Sequence, residues 1–229
     1  MKKCKSLLFY FSKGEIMLWC LSIMLIIISF LVFDRENYLT LTASVVGATA
    51  LIFNAKGNPA GQLLTVVFSI LYGIISFTFA YYGEMITYLG MTAPMAVFAF
   101  LSWLRNPYGG NRAEVKVNRL KEREPVFMLA LTAVITFIFY FILKFFAVTT
   151  SFLAVYLTFR RSAYFALAYA ANDIVLIVLW TLAVLSDISY LSVIVCFIMF
   201  LVNDMYGYIS CTKMQKRQQE SVCFRIHSD

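Results

Sequence analysis

The chain is poor in the residues that do chemistry in water. Its one histidine is His227, and its five cysteines (Cys4, Cys20, Cys196, Cys211 and Cys223) form no C-x-x-C pair. A zinc site needs clustered ligands, so no metal is expected, and nothing suggests a disulfide framework. Cys20 and Cys196 sit in apolar runs and read as packing residues. There is no H-E-x-x-H, no G-x-S-x-G and no nucleophile–base pair, which argues against an enzyme. The G-x-x-x-x-G-K phosphate loop is missing too, and no cofactor is expected. Charge is scarce: 14% of residues, where a soluble domain has about a quarter. The formal charge of +7 therefore has no soluble basic domain to act through, and no nucleic-acid partner is expected.

Apolar residues make up 62% of the 229-residue chain. They fall into runs near 20 residues, the length that spans a bilayer. Eight segments emerge: A (15–33), B (39–55), C (60–82), D (85–104), E (126–143), F (146–159), G (163–185) and H (189–211). The E–F junction at Lys144 is the weakest break, and E with F as one bent helix is the alternative. Segment A follows Lys2, Lys3, Lys5 and Lys13, but "ISFLVFDREN" offers no small-x-small cleavage site, so it reads as a retained first helix. With the N-terminus inside, every Lys and Arg except Arg35 and Lys144 falls on the inner side, and both termini are expected to be cytoplasmic. Outer turns carry Asp34, Glu36, Glu84 and Asp187. The class is an all-α polytopic membrane protein lying in a lipid bilayer.

Residues 41–104 and 146–211 share one layout: span, basic turn, span, tight acidic turn, span. An offset of about 105 pairs Lys56 with Arg161, Gly83 with Ile188 and Trp103 with Tyr208. Three spans reverse direction and the intervening segment E restores it, so the two repeats run parallel. This 3+1+3 plan with an extra N-terminal helix resembles the SWEET transporters, in which substrate sits between repeats near the midplane. The expected divisions are 1–38 (basic N-terminus and first helix), 39–105 (first repeat), 106–145 (loop and linker helix), 146–212 (second repeat) and 213–229 (cytoplasmic tail).

Asn-Asp occurs twice inside apolar helices, at Asn172-Asp173 in G and Asn203-Asp204 in H. At 1.5 Å per residue they lie about 14 and 12 Å from the basic end, close to the centre of a roughly 30 Å core. An aspartate at that depth costs about 2.5–3.5 kcal/mol to insert, more than the roughly 1 kcal/mol an interhelical hydrogen bond contributes. Both pairs are therefore candidate ligand-binding groups. Tyr169 and Trp180 share the helix face of Asn172 and Asp173, while Tyr208 lies one turn past Asp204. Trp180 and Tyr208 equally suit an aromatic belt at the membrane faces. In the first repeat Phe68, Tyr72 and Trp103 fall opposite, an aromatic wall for a flat-ringed ligand. Pro94 interrupts D near mid-membrane and should kink it.

The stretches "SILYGIISFTFAYYGEMITYLG" (69–90), "YLTFRRSAYFALAYAANDIVLIVLW" (156–180) and "FLVNDMYGYISC" (200–211), in this order and spacing, resemble the nicotinamide riboside transporters of the PnuC type, also called nicotinamide mononucleotide transporters. The likeness covers about residues 40–212. It implies facilitated uptake of a vitamin or nucleoside across the bacterial inner membrane, with trapping by a cytoplasmic kinase and assembly as homotrimers. Asn172 and Asn203 match membrane asparagines of the family, and Trp103 falls one position from a family tryptophan. The chain departs from it by placing Asp after each Asn and by offering only Trp103 where relatives have a tryptophan-rich helix end. Relatives carry thiamine, riboflavin or deoxyribonucleosides. Nicotinamide riboside is a pyridinium cation, for which a midplane aspartate is a counter-ion and Tyr or Trp faces add cation–π attraction. Two other readings remain: proton-coupled transport through Asp173 or Asp204, and a passive assembly subunit, which would not need buried carboxylates.

Overall fold

The computed structural model describes residues 10–143 and 148–226, so the expected E–F junction at Lys144 lies outside the described residues. In chain order the helices are α1 (Lys13–Phe33), α2 (Tyr38–Ala55), α3 (Pro59–Thr78), α4 (Tyr82–Ile86), a π-helical turn (Thr87–Thr92), α5 (Ala93–Arg105), α6 (Glu124–Leu143), α7 (Val148–Phe159), α8 (Phe165–Val184) and α9 (Leu191–Ile226). Six spans among the described residues are long and apolar enough to cross a membrane, with α4, the π turn and α5 forming one of them. The cores of α6 and α7, Glu124–Ile138 and Thr149–Phe159, are shorter apolar helices.

Local chemistry sets the helix starts. Ser12 caps α1 in a capping box with Glu15, each side chain accepting from the other's backbone N–H. Asn37 caps α2, and Asn58 caps α3 just ahead of Pro59, whose missing N–H would be unpaired there anyway. Gly57 supplies the positive φ (65°) that turns α2 back into α3. Arg161 takes the same left-handed conformation (φ 58°) in the α7–α8 turn. Pro94 acts one turn upstream of itself: lacking an N–H, it leaves the ladder to re-register as the π turn, and Thr92 Oγ1 donates to the Thr87 carbonyl at 3.2 Å.

Six helical segments close into a ring, α2–α3–α5–α7–α8–α9 and back to α2, each packed on the next. The two repeats α2–α3–α5 and α7–α8–α9 each use their middle helix to hold the outer two, and they meet at α2 with α9 and at α5 with α7. That is the contact pattern of a pseudo-twofold relation. The repeats are also parallel. The α2–α3 and α7–α8 turns share one end, both tied to the 106–123 loop through Val115 N→Gly57 O (2.9 Å) and Asn118 N→Arg161 O (2.9 Å). The α3–α4 and α8–α9 turns share the other, where the Phe79 and Tyr190 rings lie 5.2 Å apart. Helices α1 and α6 pack outside the ring, α1 against α2 and α9, and α6 against α7.

The basic end is more ordered than hydropathy indicates. Pro107–Tyr108 and Asn111–Val115 form a hairpin, β1 and β2, around Gly109 and Gly110, both with positive φ. The residues after Cys211 do not leave as a separate tail, because α9 continues through Ile226. Its extension braces the hairpin: Gln218 Nε2 donates to Val115 O (3.0 Å) and Gln215 Nε2 to Asn118 O (2.9 Å).

Candidate functional site

The groups facing across the ring come from both repeats. Asp173 on α8 and Asp204 on α9 are buried, and their carboxyls are hydrogen-bond neighbours. A carboxyl–carboxyl hydrogen bond needs one proton between the two groups, because like charges in contact do not both ionise. Asp173 Oδ2 receives no N–H or O–H from a described group. Beside it, Asn172 Oδ1 accepts from Thr150 Oγ1 (2.9 Å) and Ser151 Oγ (2.7 Å) of α7. The other side of Asn172 meets the Tyr88 hydroxyl of the π turn, which links the second repeat to the first. Tyr169 lies toward the basic end of the same face, bonded to Thr158.

Toward the acidic end a chain of bonds crosses the repeats again. The Trp180 indole N–H donates to the Tyr72 hydroxyl (2.9 Å), which donates to Glu84 Oε2 (2.7 Å). All three are buried, and Glu84 is 2% exposed. Rings surround them: Tyr72 lies 4.4 Å from Tyr88 and 5.6 Å from Phe68, and Phe68 lies 5.5 Å from Phe200. Phe79 and Tyr81 close on the Trp180 face at 5.7 and 5.1 Å. The space left beside Phe68 and Tyr72, bounded also by Ser44 and Phe197, is about 10 Å³, far below the volume of any flat-ringed ligand. At the outer rim burial pushes the Asp34 carboxyl up, while the Ser189 N–H and hydroxyl hold exposed Asp187 below its usual range.

The ten residues singled out from sequence separate into four groups. Asn172, Asp173, Asp204 and Tyr169 converge at mid-height, and Phe68, Tyr72 and Trp180 converge beside them. Asn203 points the other way: its amide donates to Ser22 Oγ of α1 (2.8 Å) and to the Met199 carbonyl (2.7 Å). Successive helix residues are about 100° apart, so one member of an Asn-Asp pair can face the ring while the other faces α1. Trp103 and Tyr208 sit at the basic end. Trp103 Nε1 donates to Thr158 O (3.1 Å), bracketing α5 to α7 within an apolar cluster, and Tyr208 lies 5.9 Å from the Tyr164 ring.

Two residues of the column were not singled out. Glu84 was expected in an exposed acidic turn, next to Gly83. The fold instead buries it as the third residue of α4. Tyr88 is four residues on, so the pair shares one helix face. That i, i+4 spacing, six residues ahead of Pro94, was the available signal.

The comparisons with known proteins agree with this architecture. Residues 37–213 match the family model described as nicotinamide mononucleotide transporter. The chain belongs to that family. A curated transporter-family relative, the nicotinamide riboside transporter PnuC of Neisseria mucosa, is 29% identical over 201 residues, covering 81% of this chain and 76% of the relative. The crystal structure of the vitamin B3 transporter PnuC superimposes with a TM-score of 0.80 at 25% identity, covering 91% of this chain and 94% of that one. Like that relative, this nicotinamide mononucleotide transporter family member is a multi-pass helical membrane protein.

Proposed function

We propose that the chain imports nicotinamide riboside, or a closely related vitamin or nucleoside, through the space between its repeats. The observation that carries this reading is the Asp173–Asp204 carboxyl pair, set at mid-height and walled by aromatic rings. With one of the two carboxyls ionised, the pair carries one negative charge. That charge suits the pyridinium of the riboside, while the Tyr72, Tyr88 and Trp180 faces supply stacking and cation–π contact worth about 0.5–2 kcal/mol. Asn172 and the hydroxyls of Thr150 and Ser151 supply neutral donors and acceptors for a ribose or carboxamide. Relatives named as nicotinamide riboside and vitamin B3 transporters support the same ligand class.

In this reading the protein lies in a bacterial inner membrane with both termini cytoplasmic, because its basic loops gather at one end of the ring. It works by facilitated diffusion as a homotrimer, and cytoplasmic phosphorylation of the imported nucleoside keeps the gradient inward. The repeats rock to open the site to either side. The test is binding of nicotinamide riboside, thiamine and deoxyribonucleosides to the purified protein. Binding of a deoxynucleoside but not of the riboside would move the chain to a neutral-ligand role. One observation favours a second reading: the buried Asp173–Asp204 carboxyl pair can take up and release a proton for coupling. Loss of uptake with a protonophore, under conditions where the nucleoside gradient persists, would select it.

A further inference from the structure

We propose that the outer face of α8, at the basic end, binds an anionic phospholipid. A groove of about 900 Å³ runs there between α6, α7, α8 and the α9 extension. Its walls are Met128, Leu153, Leu157 and Leu167, and its depth comes from Ala168 and Ala171 standing where larger side chains would fill it. One lip is cationic, with Arg119 and Lys216 beside Thr212 and Gln215.

Apolar and cationic parts are separated along the membrane normal. Thr212, Gln215 and Lys216 follow Cys211, where the apolar stretch of α9 gives way to polar residues, and Arg119 belongs to the loop at that end. The leucines lie deeper. Acyl chains therefore meet the leucines and alanines while a phosphate meets the two cations, the arrangement expected of a basic pocket between helices at a leaflet surface.

Charge decides the occupant. The three ion pairs among the described residues engage Glu15 with Lys56, Glu124 with Arg160 and Glu114 with Arg217. Arg119 and Lys216 have no carboxylate partner among the described residues; Arg119 is oriented, without being neutralised, by Gln219 Oε1. A second copy of this chain would bring its own cation-rich end against them. A zwitterionic lipid would bring an ammonium with its phosphate. Free phosphate would leave the apolar walls unused.

The experiment adds phosphatidylglycerol or phosphatidylcholine of identical acyl chains to the detergent-purified full chain. Retained lipid is read by native mass spectrometry and stability by thermal melting. Phosphatidylglycerol is expected to be retained and to raise the melting temperature more than phosphatidylcholine. The R119Q/K216Q double variant should bind it about tenfold more weakly, since each cation near the surface contributes a few-fold. Both side chains are exposed, so the variant should fold. Leu167→Trp, at a residue 43% exposed, fills the groove and should also displace the lipid. Arg35→Gln, at the opposite end, should change nothing. Equal retention of the two lipids, unchanged affinity in the double variant, or the same stabilisation by inorganic phosphate alone would overturn the proposal. So would a change in oligomeric mass in place of lipid loss, which would assign the groove to a second copy.

Discussion

Tyr72→Phe removes one oxygen at the centre of the bond chain that joins the repeats. The hydroxyl accepts from Trp180 Nε1 at 2.9 Å and donates to Glu84 Oε2 at 2.7 Å. Its loss leaves a buried indole N–H and a buried carboxyl oxygen unpaired, and Glu84 Oε1 already lacks a described partner. A neutral hydrogen bond contributes about 0.5–1.5 kcal/mol and one to a charged group about 1.5–3. Interhelical bonds within bilayers average nearer 0.6 kcal/mol, because helices separated in the membrane find other partners. That discount does not fit Glu84. It lies at the start of α4, beside the outer turn, so in the separated state it reaches water and its full desolvation must be repaid on packing. We therefore expect Tyr72→Phe to destabilise by about 2–4 kcal/mol and to lower the melting temperature on the order of 5–10 °C. The assay is thermal melting in detergent, with Glu84→Gln and the double variant completing a cycle. Coupling of about 1 kcal/mol or more between the two sites is expected. A Tyr72→Phe protein that melts with the wild type, or a cycle with no coupling, would refute the bond chain as a structural link.

Replacing both carboxyls, Asp173→Asn with Asp204→Asn, keeps hydrogen-bonding side chains but removes any negative charge from the pair, so it should weaken nicotinamide riboside binding about 5- to 150-fold, or on the order of 1–3 kcal/mol; equal titration curves for the two proteins would exclude a counter-ion role. Trp103→Phe deletes the bond to Thr158 O but lies at the basic end, so it should cost about 1 kcal/mol or slightly more of stability while leaving riboside affinity unchanged, and weakened binding would place Trp103 in the site after all. Gly47→Ala puts a Cβ into the Phe200 ring where α2 packs on α9. Overpacking of about 1–3 kcal/mol is expected as a lower melting temperature, and an unchanged melt would mean that the Phe200 ring moves aside freely. A reporter fused after Asp229 should work only if it functions in the cytoplasm; external activity would invert the topology.

Hydropathy alone located the helices, because a segment that meets lipid must be apolar along its whole length whatever its neighbours are. Segments A, B and D begin and end within about three residues of their helices, while C overruns α3, which ends at Thr78. The parallel repeat was also legible, since turn charge and span order are linear properties. The depth of Asp173 and Asp204 could be counted at 1.5 Å per residue. Azimuth could not. Each residue turns the helix by about 100°, and nothing within one helix says which direction faces the ring, so Asp204 meets Asp173 while its neighbour Asn203 bonds Ser22 of α1. The same limit applies to Trp103, whose aromatic ring is equally at home in a binding wall or as a bracket, until the Thr158 carbonyl decides it. Glu84 was the hardest to read. Next to Gly83 and two tyrosines it has the composition of an exposed turn, and only the closure of α3 and α8 around it turns that carboxylate inward. Water and lipid sort a sequence by composition along its length, but the interior of a helix ring is made by which faces meet, and that is decided among helices.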